Sequence, residues 1–357
     1  MKGKISLYLE RERWFILITL LLFALAGIVY GYAPVAMWFG FALAAFSAVS
    51  NDSIQTIGTF ISSNGDKKWW ALWLYIGVIF VITVTISWVV YDGDVSYQRL
   101  SSKGFEKSPE QFAYLQLVAP IVLLILTRWR MPVSTTFLLL SSFTTESEAI
   151  FKVISKSLSG YFIAFFVSIA LWLVFARFIK RIQKGEAHFA WTVAQWITSG
   201  LLWAVWIMQD AANIAVFLPR QLNLTEFLAF TIVIFFGLGF IFYRKGDKIQ
   251  EVITEKSNVK DVRPATLIDF VYAIILFVFQ YISTIPMSTT WVFIGLLAGR
   301  ELATHYAYDM PEKRELKKTI GLIVKDITYT LIGLIISILL AVAVNPKIRE
   351  EFFRLFQ

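Results

Sequence analysis

The sequence predicts an all-α polytopic membrane protein: an inverted-topology repeat of two five-span halves after one extra N-terminal helix, about eleven spans in all, some interrupted or half-length. Three observations predict it. The chain is 57% hydrophobic and 16% charged, with mean hydropathy +0.66. An ordinary soluble domain is about half apolar and about a quarter charged, and a run of roughly 18 apolar residues is enough to cross a bilayer. Two polar phrases each occur twice, in the same order: Val49–Thr59 and Ile207–Phe217, then Pro132-Val133-Ser134-Thr135-Thr136 and Pro286-Met287-Ser288-Thr289-Thr290. Most of the 33 Lys and Arg fall in alternate loops, the bias that fixes membrane orientation.

The first span, near 14–32, follows Lys2, Lys4, Arg11 and Arg13, and Ala24-Leu25-Ala26 imitates a leader cleavage site. Glu10 and Glu12, and an apolar run that continues to Tyr32, favour a retained helix. The second, 35–61, is interrupted by Asn51-Asp52; the third, 69–91, opens on Trp69-Trp70, suited to an interfacial aromatic belt. After a polar loop at 92–111 come 112–130 and the short 133–146, polar at its start and therefore expected to be a re-entrant half-helix. The long 148–181 carries Lys152 and Lys156 in its first turns. The second half repeats this order at 190–218 (interrupted), 224–243, 266–284, 287–302 (short) and 318–345 (long, with Lys325 and Asp326). The loop 244–265 has room for a short surface helix.

The organisation is thus 1–32 as the extra helix, 33–186 as half one, 187–346 as half two and 347–357 as a tail. Five crossings is an odd number, so the second half enters the membrane inverted. The basic loops put the N-terminus in the cytoplasm and the chain in an inner, cytoplasmic membrane, with Arg99, Lys103, Lys107 and Arg220 on the far side. Read this way, the net charge of +8 belongs to cytoplasmic loops and implies no nucleic-acid partner. With no cysteine and two histidines, His188 and His305, both at loop edges, thiol chemistry and an intramembrane histidine relay are excluded.

Asp52 is costly inside an apolar span unless it faces protein, water or an ion. Asn51, Gln55, Gln209, Asp210 and Asn213 join it as oxygen donors of the kind a hard cation such as Na⁺ takes, although a single Asp of this sort could be a helix cap. Pro-x-Ser-Thr-Thr reads as a helix start with free N–H groups and a positive dipole end. Ser134, Thr135, Thr136, Ser288, Thr289 and Thr290 would then cradle a small oxyanion. Capping and Ser/Thr packing explain one copy as well; two copies in an inverted repeat favour a site. Lys152 and Lys325 precede Gly160 and Gly333 at one common offset and are read as snorkelling; Asp269 is read as a cap or interface residue, and Gly58, Gly160 and Gly333 as helix-packing positions.

At these residues the sequence resembles the inorganic phosphate transporter (PiT) family. Asn51–Thr59 resembles its Gly-Ala-Asn-Asp-Val-Ala-Asn-Ala motif, Gln209–Asn213 the second copy, and the two Pro-x-Ser-Thr-Thr phrases its Pro-Val-Ser-Thr-Thr-His motifs. The resemblance implies secondary active uptake of phosphate driven by Na⁺ or H⁺, in the lipid bilayer, by a chain that needs no other cofactor and can form a homodimer. By it, Asp52, Asp210 and the two Ser-Thr-Thr sets contact phosphate or coupling ions, and Asn51, Gln55, Gln209 and Asn213 help hold Na⁺. Four positions depart from the family: Phe137 and Trp291 stand where it has His, Gln55 where it has Asn, and Gln209 where it has Asn. A sulfate or other oxyanion permease is therefore the alternative. A non-transporting receptor or a membrane enzyme is a third, against which stands the lack of any nucleophile–base pair, metal cluster or phosphate loop.

Overall fold

The computed structural model describes residues 2–129, 131, 133–144, 146–174, 181, 185–244, 261–306 and 316–354. Pro132, most of the 244–265 loop with its expected surface helix, and several basic loop residues counted for orientation lie outside them. The described residues are helical almost throughout. The elements are α1 (Lys2–Val29), α2 (Ala33–Ala48), a π-helical turn (Val49–Ser53) running into α3 (Ile54–Ser63), α4 (Trp69–Val90), α5 (Tyr114–Arg128), a second π-helical turn (Thr136–Leu140) and α6 (Ser147–Val174). Then come α7 (Phe189–Ala215), α8 (Leu224–Tyr243), α9 (Val262–Ile282), α10 (Thr289–Tyr306), α11 (Leu316–Val344) and α12 (Pro346–Arg354).

Helix starts follow local chemistry. Pro34 sits in the first turn of α2, where its missing N–H costs nothing. At α8, Asn223 Oδ1 accepts from Glu226 N at 3.0 Å and Glu226 Oε2 from Asn223 N at 2.9 Å, a reciprocal capping box. His188 Nδ1 accepts from Ala190 N at the start of α7.

Among the described residues, seven helices are long and apolar enough to cross a membrane: those at 12–29, 33–53, 69–90, 147–174, 224–243, 262–282 and 316–344. They carry the outward apolar side chains, among them Val78, Ile82, Phe162, Phe166, Phe236 and Leu339. α10 is different. It is buried nearly all round, from Thr289 to Thr304, and includes Arg300 and Glu301. A helix surrounded by protein need not be apolar to lie at membrane depth, because lipid never sees its polar groups. α7 follows the same rule, with Gln195, Thr198, Ser199, Gln209, Asp210 and Asn213 all buried.

The two predicted halves pack reciprocally. α10 lies along α6, and the Thr136–Leu140 turn along α11; α7 packs on α9 as α2 packs on α5; α4 meets α8. α9 touches α6 as α5 touches α11, and α10 touches α3 as the Thr136–Leu140 turn touches α7. Two of the glycines read as packing positions, Gly160 and Gly333, sit in this exchange. A Cβ on Gly160 of α6 would meet Val292 and Met287, and one on Gly333 of α11 would meet Val133.

The polar interruptions differ from expectation. The first is no break but a π-helical turn, Val49–Ser53, which widens the helix and turns Asn51 and Asp52 inward together. The second, predicted at 190–218, does not exist: α7 runs unbroken through Gln209, Asp210 and Asn213. Those three side chains find partners inside the bundle, so the backbone has no need to open. The span predicted at 133–146 is a five-residue π turn flanked by irregular chain, too short to cross, whereas its counterpart α10 is a full 18 residues.

Candidate functional site

Every residue predicted for the site is buried: Asn51, Asp52, Gln55, Ser134, Thr135, Thr136, Gln209, Asp210, Asn213, Ser288, Thr289 and Thr290 are each at most 4% exposed. Most of them meet in one place, whereas Gln209 donates to Leu276 O of α9 at 3.2 Å. Asp52 Oδ1 accepts from Asn51 Nδ2 at 2.5 Å and from Thr290 Oγ1 at 3.5 Å, and Thr135 Oγ1 lies beside the same carboxylate without completing a hydrogen bond. Asp210 Oδ1 accepts from Asn213 Nδ2 at 2.6 Å and from Thr136 Oγ1 at 3.4 Å; Asp210 Oδ2 accepts from Thr289 Oγ1. Each carboxylate therefore sees an amide from its own helix, the middle hydroxyl of its own Ser-Thr-Thr and the last hydroxyl of the other one.

The frame around them is also exchanged. Asn51 Nδ2 donates to Val133 O at 2.8 Å and Gln55 Nε2 to Asn51 Oδ1 at 3.2 Å. Asn213 Nδ2 donates to Thr136 Oγ1 at 3.1 Å, and the single Thr136 hydroxyl proton is shared between Asp210 Oδ1 and Met287 O, the latter at 3.1 Å. Tyr272 OH donates to Thr289 O at 2.9 Å, and Trp206 Nε1 to Thr289 Oγ1 at 3.2 Å. The two serines are caps: Ser134 Oγ accepts from Phe137 N at 3.2 Å and Ser288 Oγ from Trp291 N at 3.3 Å. Each spends one acceptor lone pair on the turn and keeps its hydroxyl proton to donate.

Among the described residues, five oxygens of these polar phrases have no hydrogen-bond partner: Ser53 Oγ, Gln55 Oε1, Thr135 Oγ1, Gln209 Oε1 and Asn213 Oδ1. Buried polar atoms are rarely left unpaired. A cluster of unpaired oxygens beside two carboxylates has the donor chemistry of a hard-cation site. The two carboxylates also lie near enough for their charges to interact, and two like charges in an apolar setting require cations, protons or donors around them.

Phe137 and Trp291, the residues that follow the two Ser-Thr-Thr phrases, pack edge to face with ring centroids 5.1 Å apart at 70°. The two departures from the expected histidine are thus one contact, an apolar seam between the motifs. Trp291 Nε1 has no partner among the described residues.

Sequence reasoning missed four residues in three places. Asp269 is neither cap nor interface residue. It is buried inside α9, where its carboxylate accepts from Thr59 Oγ1 and Ser199 Oγ, each at 2.5 Å; distance along α9 says nothing about which neighbours reach it. Arg99 of the 92–111 loop is fully buried, and its position in a polar loop gave no sign of this. Gly295 and Gly299 of α10 are the third case. A Cβ on either would strike a backbone carbonyl of α6, Tyr161 O or Phe165 O, and the small-x-x-x-small spacing was there to be read. Lys152 and Lys325 are both at the surface. Lys152 pairs with Glu148 at 2.7 Å, and Lys325 lies over the Tyr329 ring.

A core of paired carboxylates and hydroxyls inside lipid-length apolar helices defines an all-α polytopic membrane protein with a polar centre. No family model matches the chain, and no curated protein sequence does. A solved structure described as the sodium-dependent phosphate transporter shares the fold: TM-score 0.59 over 87% of this chain and 96% of that one, at 17% sequence identity. The chain therefore shares the fold of that protein over most of its length.

Proposed function

We propose that the protein is a secondary active transporter of inorganic phosphate, coupled to Na⁺, that binds the anion between the two Ser-Thr-Thr segments and alternates access by moving one half against the other. The observation that carries it is the reciprocal wiring of Asp52 and Asp210, each to the last hydroxyl of the other half's Ser-Thr-Thr segment. Relative movement of the halves changes the surroundings of both carboxylates at once. The unpaired oxygens of Gln55, Gln209 and Asn213 supply Na⁺ ligands, and the shared fold with a sodium-dependent phosphate transporter supports the substrate class.

Phosphate rather than sulfate follows from the carboxylates. Near neutral pH phosphate keeps a proton and can donate it in a hydrogen bond to Asp52 or Asp210; sulfate has none and meets a pair of negative charges. The purified protein in proteoliposomes is expected to accumulate radiolabelled phosphate under an inward Na⁺ gradient, with competition by arsenate. Asp52→Asn is expected to depress phosphate uptake far more than any sulfate uptake. Uptake driven equally by a pH gradient alone would replace Na⁺ by H⁺; uptake of sulfate but not phosphate would make the protein a sulfate permease.

Sidedness is testable because the chain has no cysteine. With the N-terminus cytoplasmic, Lys103→Cys should react with an impermeant maleimide in intact cells and Lys67→Cys only after permeabilisation; the two side chains are 63% and 47% exposed. The reverse pattern would invert the orientation.

A further inference from the structure

Two cations lie beside the second motif with no carboxylate paired to either among the described residues. Arg99 enters from the 92–111 loop and is fully buried. Its Nε donates to Met208 O at 3.3 Å, next to Gln209-Asp210. Its Nη1 donates to Ser283 O at 2.7 Å and Ile285 O at 3.0 Å, just before Pro286, and its Nη2 to Gln280 Oε1. Lys156 of α6 donates to the same two carbonyls, Ser283 O at 3.0 Å and Ile285 O at 2.5 Å. All these acceptors are neutral. An arginine has five N–H donors and a lysine three, so each keeps one N–H unspent, on Arg99 at Nη2 and on Lys156 at Nζ.

The loop is built to deliver Arg99. Tyr97 and Gln98, directly before it, are both non-glycine residues with φ of 52° and 61°, a costly conformation that persists only where surroundings enforce it. Asp94 enforces it by accepting from Ser96 N at 2.7 Å and Gln98 N at 2.6 Å, and Tyr97 OH donates to Thr83 O at 2.7 Å. Burial lowers the Arg99 pKa only to about 10, with Asp210 nearby working against the shift, so the guanidinium stays charged at neutral pH. The arrangement is one-sided: at the offset that relates Lys152 to Lys325, Lys156 corresponds to Tyr329, which packs on the apolar cluster of Val133 and Leu138.

Arg99 is fully buried and Lys156 half-buried, and two basic groups that share neutral acceptors in such a setting favour an anion that joins them. We propose that Arg99 and Lys156 form a second oxyanion station, on the approach to the Asp210 side of the site, where phosphate is held before it passes between the Ser-Thr-Thr segments. This rests on the phosphate reading above. A tetrahedral oxyanion has acceptors enough to take the spare N–H of both cations and to compete with the Ser283 and Ile285 carbonyls, releasing the stretch of chain that leads into α10.

The test is phosphate uptake by the full-length protein in proteoliposomes, together with the rise in its thermal midpoint on adding phosphate in detergent. Lys156→Gln keeps an N–H donor for the carbonyls and loses the charge. It should raise the apparent KM for phosphate about tenfold with little change in Vmax or Na⁺ dependence, and shift the phosphate titration of the thermal midpoint alike; Lys156→Arg should restore both. Arg99→Lys, which keeps charge but not the planar fork, should raise KM by a smaller factor. If wild type transports while Lys156→Gln keeps its KM, or loses only Vmax, the station is overturned and the transporter reading stands. If wild type shows neither uptake nor a thermal response to phosphate, both fall.

Discussion

Asp210→Asn is expected to reduce Na⁺-driven phosphate uptake about 100-fold, a loss of about 2.7 kcal/mol of transition-state stabilisation, without lowering the thermal midpoint of the protein. Asp210 accepts from Asn213, Thr136 and Thr289 together. An asparagine can accept at one oxygen only and turns an NH₂ group towards hydroxyls that were donating. Each charge-assisted hydrogen bond in a buried site is worth about 1.5–3 kcal/mol, and a bound Na⁺ loses a formal negative charge as well. Stability should move the other way, because the substitution removes one of two like charges buried close together. Uptake within about threefold of wild type would show that Asp210 is a structural acceptor.

The second large effect is expected from Gly299→Ala and, more so, the Gly295→Ala/Gly299→Ala pair. Replacing a helix glycine by alanine normally gains about 1 kcal/mol, but here the new methyl group falls on Phe165 O or Tyr161 O of α6. A backbone carbonyl cannot rotate aside as a side chain can. Overpacking of this kind costs about 1–3 kcal/mol per site, and α10 carries Thr289 and Thr290 at its start, so displacement reaches the site. Gly237→Ala in α8 is the control: nothing lies near its Cβ position, and that variant should be as stable as wild type or more so. Denaturation of the three purified variants in detergent decides it; equal loss in all three would deny α10–α6 contact any special role.

The fold was legible wherever one residue's chemistry fixes its surroundings. Apolar runs found the lipid-facing helices, because lipid acts on each residue separately. The four polar phrases found the site, because a carboxylate or a Ser-Thr-Thr start at membrane depth has few acceptable settings. What could not be read depends on partners. Whether α7 opens at Asp210 depends on Thr136 and Thr289 from elsewhere in the chain. Asp269 near the start of a helix looks like a cap until Thr59 and Ser199 reach it. Arg99 sits in a polar loop, and only the left-handed turn before it sends it inward. Phe137 and Trp291 read as two separate departures, yet they are one ring contact.

The notch at Gly333 has a consequence for biosynthesis. Val133, beside the first Ser-Thr-Thr phrase, has its seat on α11, the last long helix of the chain, while Gly160 receives Val292 and Met287 from the other direction. Neither half can complete its own interior. Until α11 has been made, Val133 has no seat, so the packing around the first Ser-Thr-Thr phrase is completed only when nearly the whole polypeptide has left the ribosome.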